Sequence, residues 1–289
     1  MLEHLKQSSI TSFGVVRGRP SSIDKNGKLM CDYSSVDIAR VIQVTKPKQI
    51  FIALGVSSIK QAESNLQSIA DVTTIIERIL LEISLYAPNS NVFLASSGSI
   101  CGQSSDVGIV ESVKHSPISA YGTHKANLEN LAINLSSEHK LNLCIIRIFS
   151  IHGFFQKRHI VWEVFTQLSR GDKVKLYGDG TEVRDFIEIN DLATQIIFLL
   201  QFSGQLPEVV NLGSGNPTQI LQLASFVRDF CNPRASILFD GKRNASDPVY
   251  LYPDLTLARS LGVPAGKSLT HGLHKTLEEW KKYANLANR

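Results

Sequence analysis

In Tyr121-Gly-Thr-His-Lys125 a phenol and an ammonium stand four positions apart, a spacing that puts both on one face of a helix. A phenol titrates near about 10, too high for a base at neutral pH. A cation beside it stabilises the phenolate and brings the group toward general acid/base range. Ser97 closes the apolar run Phe93-Leu-Ala-Ser-Ser97, where its hydroxyl can hydrogen-bond the same substrate oxygen. Together the three describe a site that moves a proton off a hydroxyl.

Such a site needs a strand to carry Ser97 and a helix to carry Tyr121 and Lys125. Short apolar runs alternate with longer amphipathic segments, which predicts an α/β fold with a doubly wound parallel sheet covered by helices. Strands are expected at 12–16, 28–31, 49–54, 91–95, 141–148 and 209–212. Helices are expected at 36–44, 61–84, 120–139 and 221–230. After Gly153 the rhythm changes: a segment 160–169, a short strand at 174–177, the turn Gly178-Asp-Gly180, then Arg184-Asp-Phe-Ile, and a last helix at 269–283. Gly178-Asp179-Gly180 taken by itself is a turn, and Arg184 beside Asp185 taken by itself is a surface ion pair.

The order of these motifs carries more than any one of them. Ser97 precedes a turn closed by Gly102, Pro117-Ile-Ser-Ala-Tyr121 opens a helix, and Arg147-Ile-Phe-Ser-Ile-His-Gly153 ends a strand. They are followed by Gly178-Asp-Gly-Thr-Glu-Val-Arg-Asp-Phe-Ile-Glu-Ile-Asn-Asp191 and Asn211-Leu-Gly-Ser-Gly215. In this order the chain resembles the extended short-chain dehydrogenase/reductases, in their NAD(P)-dependent nucleotide-sugar epimerase/dehydratase branch. The resemblance implies a Rossmann-like NAD(P)-binding part at 1–157 and 183–216, interleaved with a substrate-binding part at 158–182 and 217–289. It also implies a homodimer formed through the helix of Tyr121.

Residue by residue, the resemblance makes Ser97, Tyr121 and Lys125 catalytic. Tyr121 takes a sugar hydroxyl proton, Lys125 lowers the Tyr121 pKa and holds the nicotinamide ribose, and Ser97 orients the oxygen. Asp32, Leu54, Gly55 and Ile148 join Tyr121 and Lys125 in holding the cofactor. Arg17, where NAD-preferring relatives carry an acidic residue, can pair with a 2′-phosphate and tilts the preference toward NADP. Ser97, Ser150 and Arg184 contact the nucleotide-diphosphate sugar, Arg184 through its phosphates, with Arg243 as a further phosphate candidate. Cys101 and Ser150 replace the family's usual Tyr and Asn. A dehydratase needs an acid/base pair after the catalytic residue, and Gly98-Ser99 stands there instead. The expected reaction is therefore a 4-epimerisation, ahead of reduction of a 4-keto sugar; a non-catalytic relative that binds a sugar nucleotide or a partner is the other reading.

The departure comes at the start. The family opens with a central strand and a Gly-x-x-Gly-x-x-Gly turn that holds the pyrophosphate, whereas Met1-Leu-Glu-His-Leu-Lys6 looks like the end of the helix after that turn. An N-terminally truncated chain with weakened cofactor binding is the expectation.

Bulk properties agree with a globular enzyme. The 289 residues are 43% hydrophobic with a net charge of +4, and the basic residues form no run interleaved with aromatics, so nucleic acid is not expected as a partner. No window approaches the roughly 20 apolar residues of a membrane span. Cys31, Cys101, Cys144 and Cys231 have neither close pairing nor metal spacing and read as free thiols in a reducing cytoplasm.

Overall fold

Val92, Phe93 and Leu94 follow one another without exposure, as a strand does when both faces of its sheet are covered. They belong to β4 (Asn91–Ser97) in the computed structural model, which describes residues 14–17, 28–55, 66–102, 106–157 and 159–287. The other strands of the first half are β1 (Gly14–Arg17), β2 (Lys28–Cys31), β3 (Gln49–Ile52) and β5 (Asn142–Ile148). Parallel β1 and β2 pair with each other, while β3, β4, β5 and β9 (Val209–Leu212) form a four-stranded sheet in the order β3-β4-β5-β9. Among the described residues no strand pairs with the outer edge of β3. The expectations about Met1–Lys6 and the first strand fall outside the described residues.

The helices beside this sheet are α1 (Ser35–Thr45), α2 (Leu66–Tyr86) and α3 (Ala120–His139). The Ser34 side chain caps α1 by accepting from the Asp37 amide, satisfying one of the orphan donors of the first turn. Ile76, Leu80 and Ile83 of α2 are buried with Val92 and Leu94 of β4, Leu128 and Ala132 of α3, and Ile145 of β5.

The second half has its own core. Helices α4 (His159–Leu168), α5 (Ile189–Gln201), α6 (Ile220–Cys231), α7 (Thr256–Ser260) and α8 (Leu269–Ala287) accompany β6 (Ser150–His152), β7 (Lys173–Leu176), β8 (Val183–Glu188), β10 (Pro217–Gln219), β11 (Ser236–Phe239) and β12 (Tyr250–Leu251). Strand β8 lies between β10 and β12 and also pairs with β6; β7 pairs with β11. Phe165, Leu223, Leu277 and Trp280 are packed together, and the Trp280 indole donates to the Phe154 carbonyl at 2.6 Å. Arg184-Asp-Phe-Ile is thus the middle of a strand, and β6, β10, β11, β12, α5 and α7 are elements the sequence pattern did not disclose.

Contacts group the chain into two compact, interleaved units: Met1–Ile100, Ala120–Arg147 and Ile196–Val210; and Cys101–Ser119, Ile148–Gln195 and Asn211–Arg289. Residues 101–119, 148–157, 183–195 and 211–216 therefore group with the second unit, whereas the sequence reading assigns them by role to the NAD(P)-binding part; that assignment stands as a proposal. None of the described helices is long and apolar enough to cross a membrane.

Candidate functional site

β4 ends at Ser97, and the chain turns at once into a 3-10 segment, Gly98–Cys101. The turn closes at Gly102, where φ is +62° and a Cβ would lie 1.9 Å from the Ser116 carbonyl oxygen; only glycine fits. The Ser99 hydroxyl and amide both donate to Ser97 Oγ, at 2.9 and 3.2 Å. Ser97 in turn hydrogen-bonds the Tyr121 phenol. Strand end and helix start thus meet through the two side chains the sequence singled out.

Lys125 sits one turn further along α3, buried, and its Nζ donates to the Ala95 carbonyl of β4 at 3.0 Å. A Cβ at Gly55 would come within 2.9 Å of that Nζ, so the glycine after β3 makes room for the ammonium. Burial pushes Lys125 down to about 8, against an upward pull from the Glu129 carboxylate. The phenol behaves differently from the sequence expectation. Burial pushes Tyr121 up, and the effect that lowers it is the Ser97 hydrogen bond. Lys125 is turned to a backbone carbonyl.

Beneath this triad lies a network the sequence reading missed. Glu129, fully buried, accepts from Arg147 Nη2 at 2.9 Å and Nε at 3.1 Å and from the Ser96 hydroxyl. The available signal was spacing: Tyr121, Lys125 and Glu129 recur every four residues along one helix face. His124, to which no role was given, is buried, and burial together with Lys125 pushes it down to about 4.

The cofactor candidates are distributed. Asp32 is exposed and accepts from the Ser34 amide at 2.8 Å; its hydrogen bonds with Ser34 hold the carboxyl below its usual range. Leu54 is half-buried against the first core, and Ile148 ends β5, half-buried. Arg17 closes β1, but its side chain lies outside the described residues. Lys125 has three N–H donors and, among the described residues, one acceptor. That surplus suits a ligand rich in hydroxyls, as a dinucleotide ribose is.

In the second unit, Ser150 opens β6 opposite Phe186 of β8. Arg184 is not in a surface pair with Asp185, because both are buried and they bond to different partners. Arg184 donates to the Val183 and Val249 carbonyls and, at 2.5 Å, to Asp247. Asp185 accepts from the Ser214, Gly215 and Asn216 amides and the Ser214 hydroxyl. Arg243 is bound to Asp179 and Thr181 on the surface.

Known proteins resemble this chain in sequence and in fold. The sequence profile of the NAD dependent epimerase/dehydratase family matches residues 1–213. A UDP-glucuronate 4-epimerase of Thermodesulfobacterium geofontis is 26% identical over 206 residues, 70% of this chain and 62% of its own. The UDP-glucuronic acid decarboxylase 2 of Arabidopsis thaliana is 27% identical over 168 residues, 57% of this chain and 37% of its own. Across three curated relatives the match spans 63%, 60% and 62% of their own lengths. The crystal structure of a Bacillus cereus UDP-glucuronic acid 4-epimerase, in complex with UDP-glucuronic acid and NAD, superposes with a TM-score of 0.83 at 18% identity, covering 98% of this chain and 95% of that one. At that identity the likeness speaks for a Rossmann-type fold.

Proposed function

Because the chain belongs to the NAD dependent epimerase/dehydratase family, we propose that it is a nucleotide-sugar 4-epimerase. The observation that carries this reading is the convergence of Ser97, Tyr121 and Lys125 where β4 runs into its turn and α3 begins. UDP-sugar epimerases among the relatives, and a solved neighbour holding NAD and UDP-glucuronic acid, support a UDP-sugar substrate and NAD(P). When bound, NAD(P) supplies the hydride acceptor and, in its oxidised form, a positive nicotinamide ring.

The chain's own residues move the proton. Ser97 holds the sugar oxygen and the phenol in one hydrogen-bonded line. Tyr121 accepts the hydroxyl proton and later returns it. In the resting protein burial keeps the phenol protonated, so a nearby positive charge is needed to favour phenolate when the site is filled. Lys125 offers its remaining N–H donors to the cofactor's ribose, with Gly55, Leu54, Ile148 and Asp32 beside the same ligand. Ser99 donates to Ser97 where a dehydratase would present an acid or base, which favours epimerisation over elimination. Ser150 and Arg184 are the proposed substrate contacts, Arg184 exchanging Asp247 for phosphate oxygens. The finer proposals are a preference for NADP resting on Arg17, self-association through α3, and a cytoplasmic setting that suits four free thiols.

The test is incubation of the purified protein with UDP-hexoses and UDP-hexuronates plus NAD⁺ or NADP⁺, with chromatographic separation of the C4 epimers. Interconversion is expected, and Tyr121→Phe should lower it by about 10²–10⁴-fold. A wild-type protein that binds cofactor and sugar nucleotide but forms no epimer would overturn the reading.

A further inference from the structure

Three consecutive residues of β4 reach three successive turns of α3. Ser97 bonds to Tyr121, the Ala95 carbonyl accepts from Lys125, and Ser96 donates to Glu129. Tyr121 and Glu129 lie about 12 Å apart along the helix axis at 1.5 Å per residue, so these contacts are rungs that set both the height and the rotation of α3 on the strand. The lowest rung is anchored further by Arg147 of β5, which grips Glu129 with Nε and Nη2. Arg147 and Glu129 are 3% and 0% exposed, which makes the pair costly to break.

We propose that Glu129, clamped by Arg147 and Ser96, is a positioning residue that seats α3 on β4 and keeps Lys125 charged beside the proton-transfer pair. A lone ammonium buried at this depth would shed its proton to escape desolvation. Among the described residues, the ionisable groups about Lys125 are Tyr121, His124 and Glu129 on its own helix and Arg147, which pairs with Glu129, on β5, while β4 presents the Ala95 carbonyl and the segment after β3 presents Gly55. Tyr121 is held protonated, and burial with the Lys125 charge keeps His124 neutral at pH 7. Glu129 is the group whose charge pulls Lys125 toward its ionised form. Arg147 pairs with Glu129, so removing the carboxylate takes away the negative charge that both buried cations face.

The proposal deepens the epimerase reading and rests on it for its catalytic meaning, but its test does not depend on turnover. The Cε resonance of Lys125, assigned by comparison with Lys125→Met, is followed by NMR against pH in the ligand-free protein. In Glu129→Gln the titration midpoint should fall by about one pH unit or more. Because that variant takes away the carboxylate partner of Arg147, the double variant Glu129→Gln/Arg147→Gln is measured as well; its uncharged side chains keep hydrogen bonds in the network, and a smaller fall in the same direction is expected, since a neighbouring cation is lost with the carboxylate. An unchanged Lys125 midpoint in either folded variant overturns the proposal. Where the wild type is active, the high-pH limb of its rate profile should move down with the NMR midpoint. An inactive wild type with a shifted midpoint counts against the epimerase reading and leaves the role of Glu129 intact.

Discussion

Two buried charged networks, one around α3 and one around β8, use their charges in opposite ways. Around β8 the charges are held by partners: Asp185 takes four hydrogen bonds from the 214–216 loop, and Arg184 donates to two carbonyls and to the exposed, exchangeable Asp247. Around α3 the Glu129–Arg147 pair is likewise closed, but Lys125 above it has one carbonyl acceptor among the described residues and sits near neutrality in its titration. A buried charge with every partner in place holds a fold together. One left with unspent donors and a shifted pKa is available for chemistry.

The comparison breaks most visibly by deletion. Glu129→Ala breaks a buried ion pair by removing one partner and should cost about 3–5 kcal/mol in urea unfolding. Asp185→Ala orphans several loop donors and should cost about 3 kcal/mol. If either substitution left the unfolding midpoint in place, that network would not be structural.

Lys125→Met should act in the other direction. Lys125 titrates at about 8 in the fold against an ordinary 10.5. Between those values the unfolded chain holds a proton the folded protein has shed, so this residue makes stability rise from pH 8 to 10.5 and lowers it at neutral pH. The methionine variant should be more stable at pH 7 by about 3 kcal/mol and should lose the rise above pH 8, as thermal unfolding across pH would show. Destabilisation at pH 7 would mean that Lys125 belongs with the charges held by partners.

His124 and His152 extend the contrast to acid pH. Burial pushes each down to about 4, with Lys125 adding to the effect at His124. Each keeps its stabilising contribution above about pH 6.5 and loses it as pH falls toward 4. Imidazole resonances of both should stay in the neutral form at pH 5.5; a midpoint near 6.5 for either would show that site to be wet. The smallest effect is expected at Arg243→Ala, whose partner Asp179 is exposed. Its unfolding midpoint should match wild type, because an exposed ion pair is screened by water.

Much of this was legible from local pattern. Apolar runs placed β2 and β9 at their observed limits and β4 and β5 within two residues of them; a strand buried on both faces, as β4 is, writes itself as continuous apolar sequence. Strand β8 did not, because Arg184, Asp185 and Glu188 interrupt it and are buried only by virtue of distant partners such as Asp247 and the 214–216 loop. Helix α3 also lacks a clean apolar stripe, burying His124, Lys125 and Glu129 together with Leu128 and Ala132.

The sequence by itself determined which groups take part: the phenol and ammonium one helical turn apart, the serine at a strand end, and the ordered motifs that mark the family. Local covalent spacing is enough for that, because a helix or strand converts separation along the chain into a shared face. Only the tertiary structure decided what each group is worth. Lys125 turns to the Ala95 carbonyl, burial pulls its pKa down, and Glu129, paired with Arg147, pulls it back up. Desolvation and hydrogen bonding are set by atoms brought from β3, β4 and β5, and those distances exist only once the chain has folded.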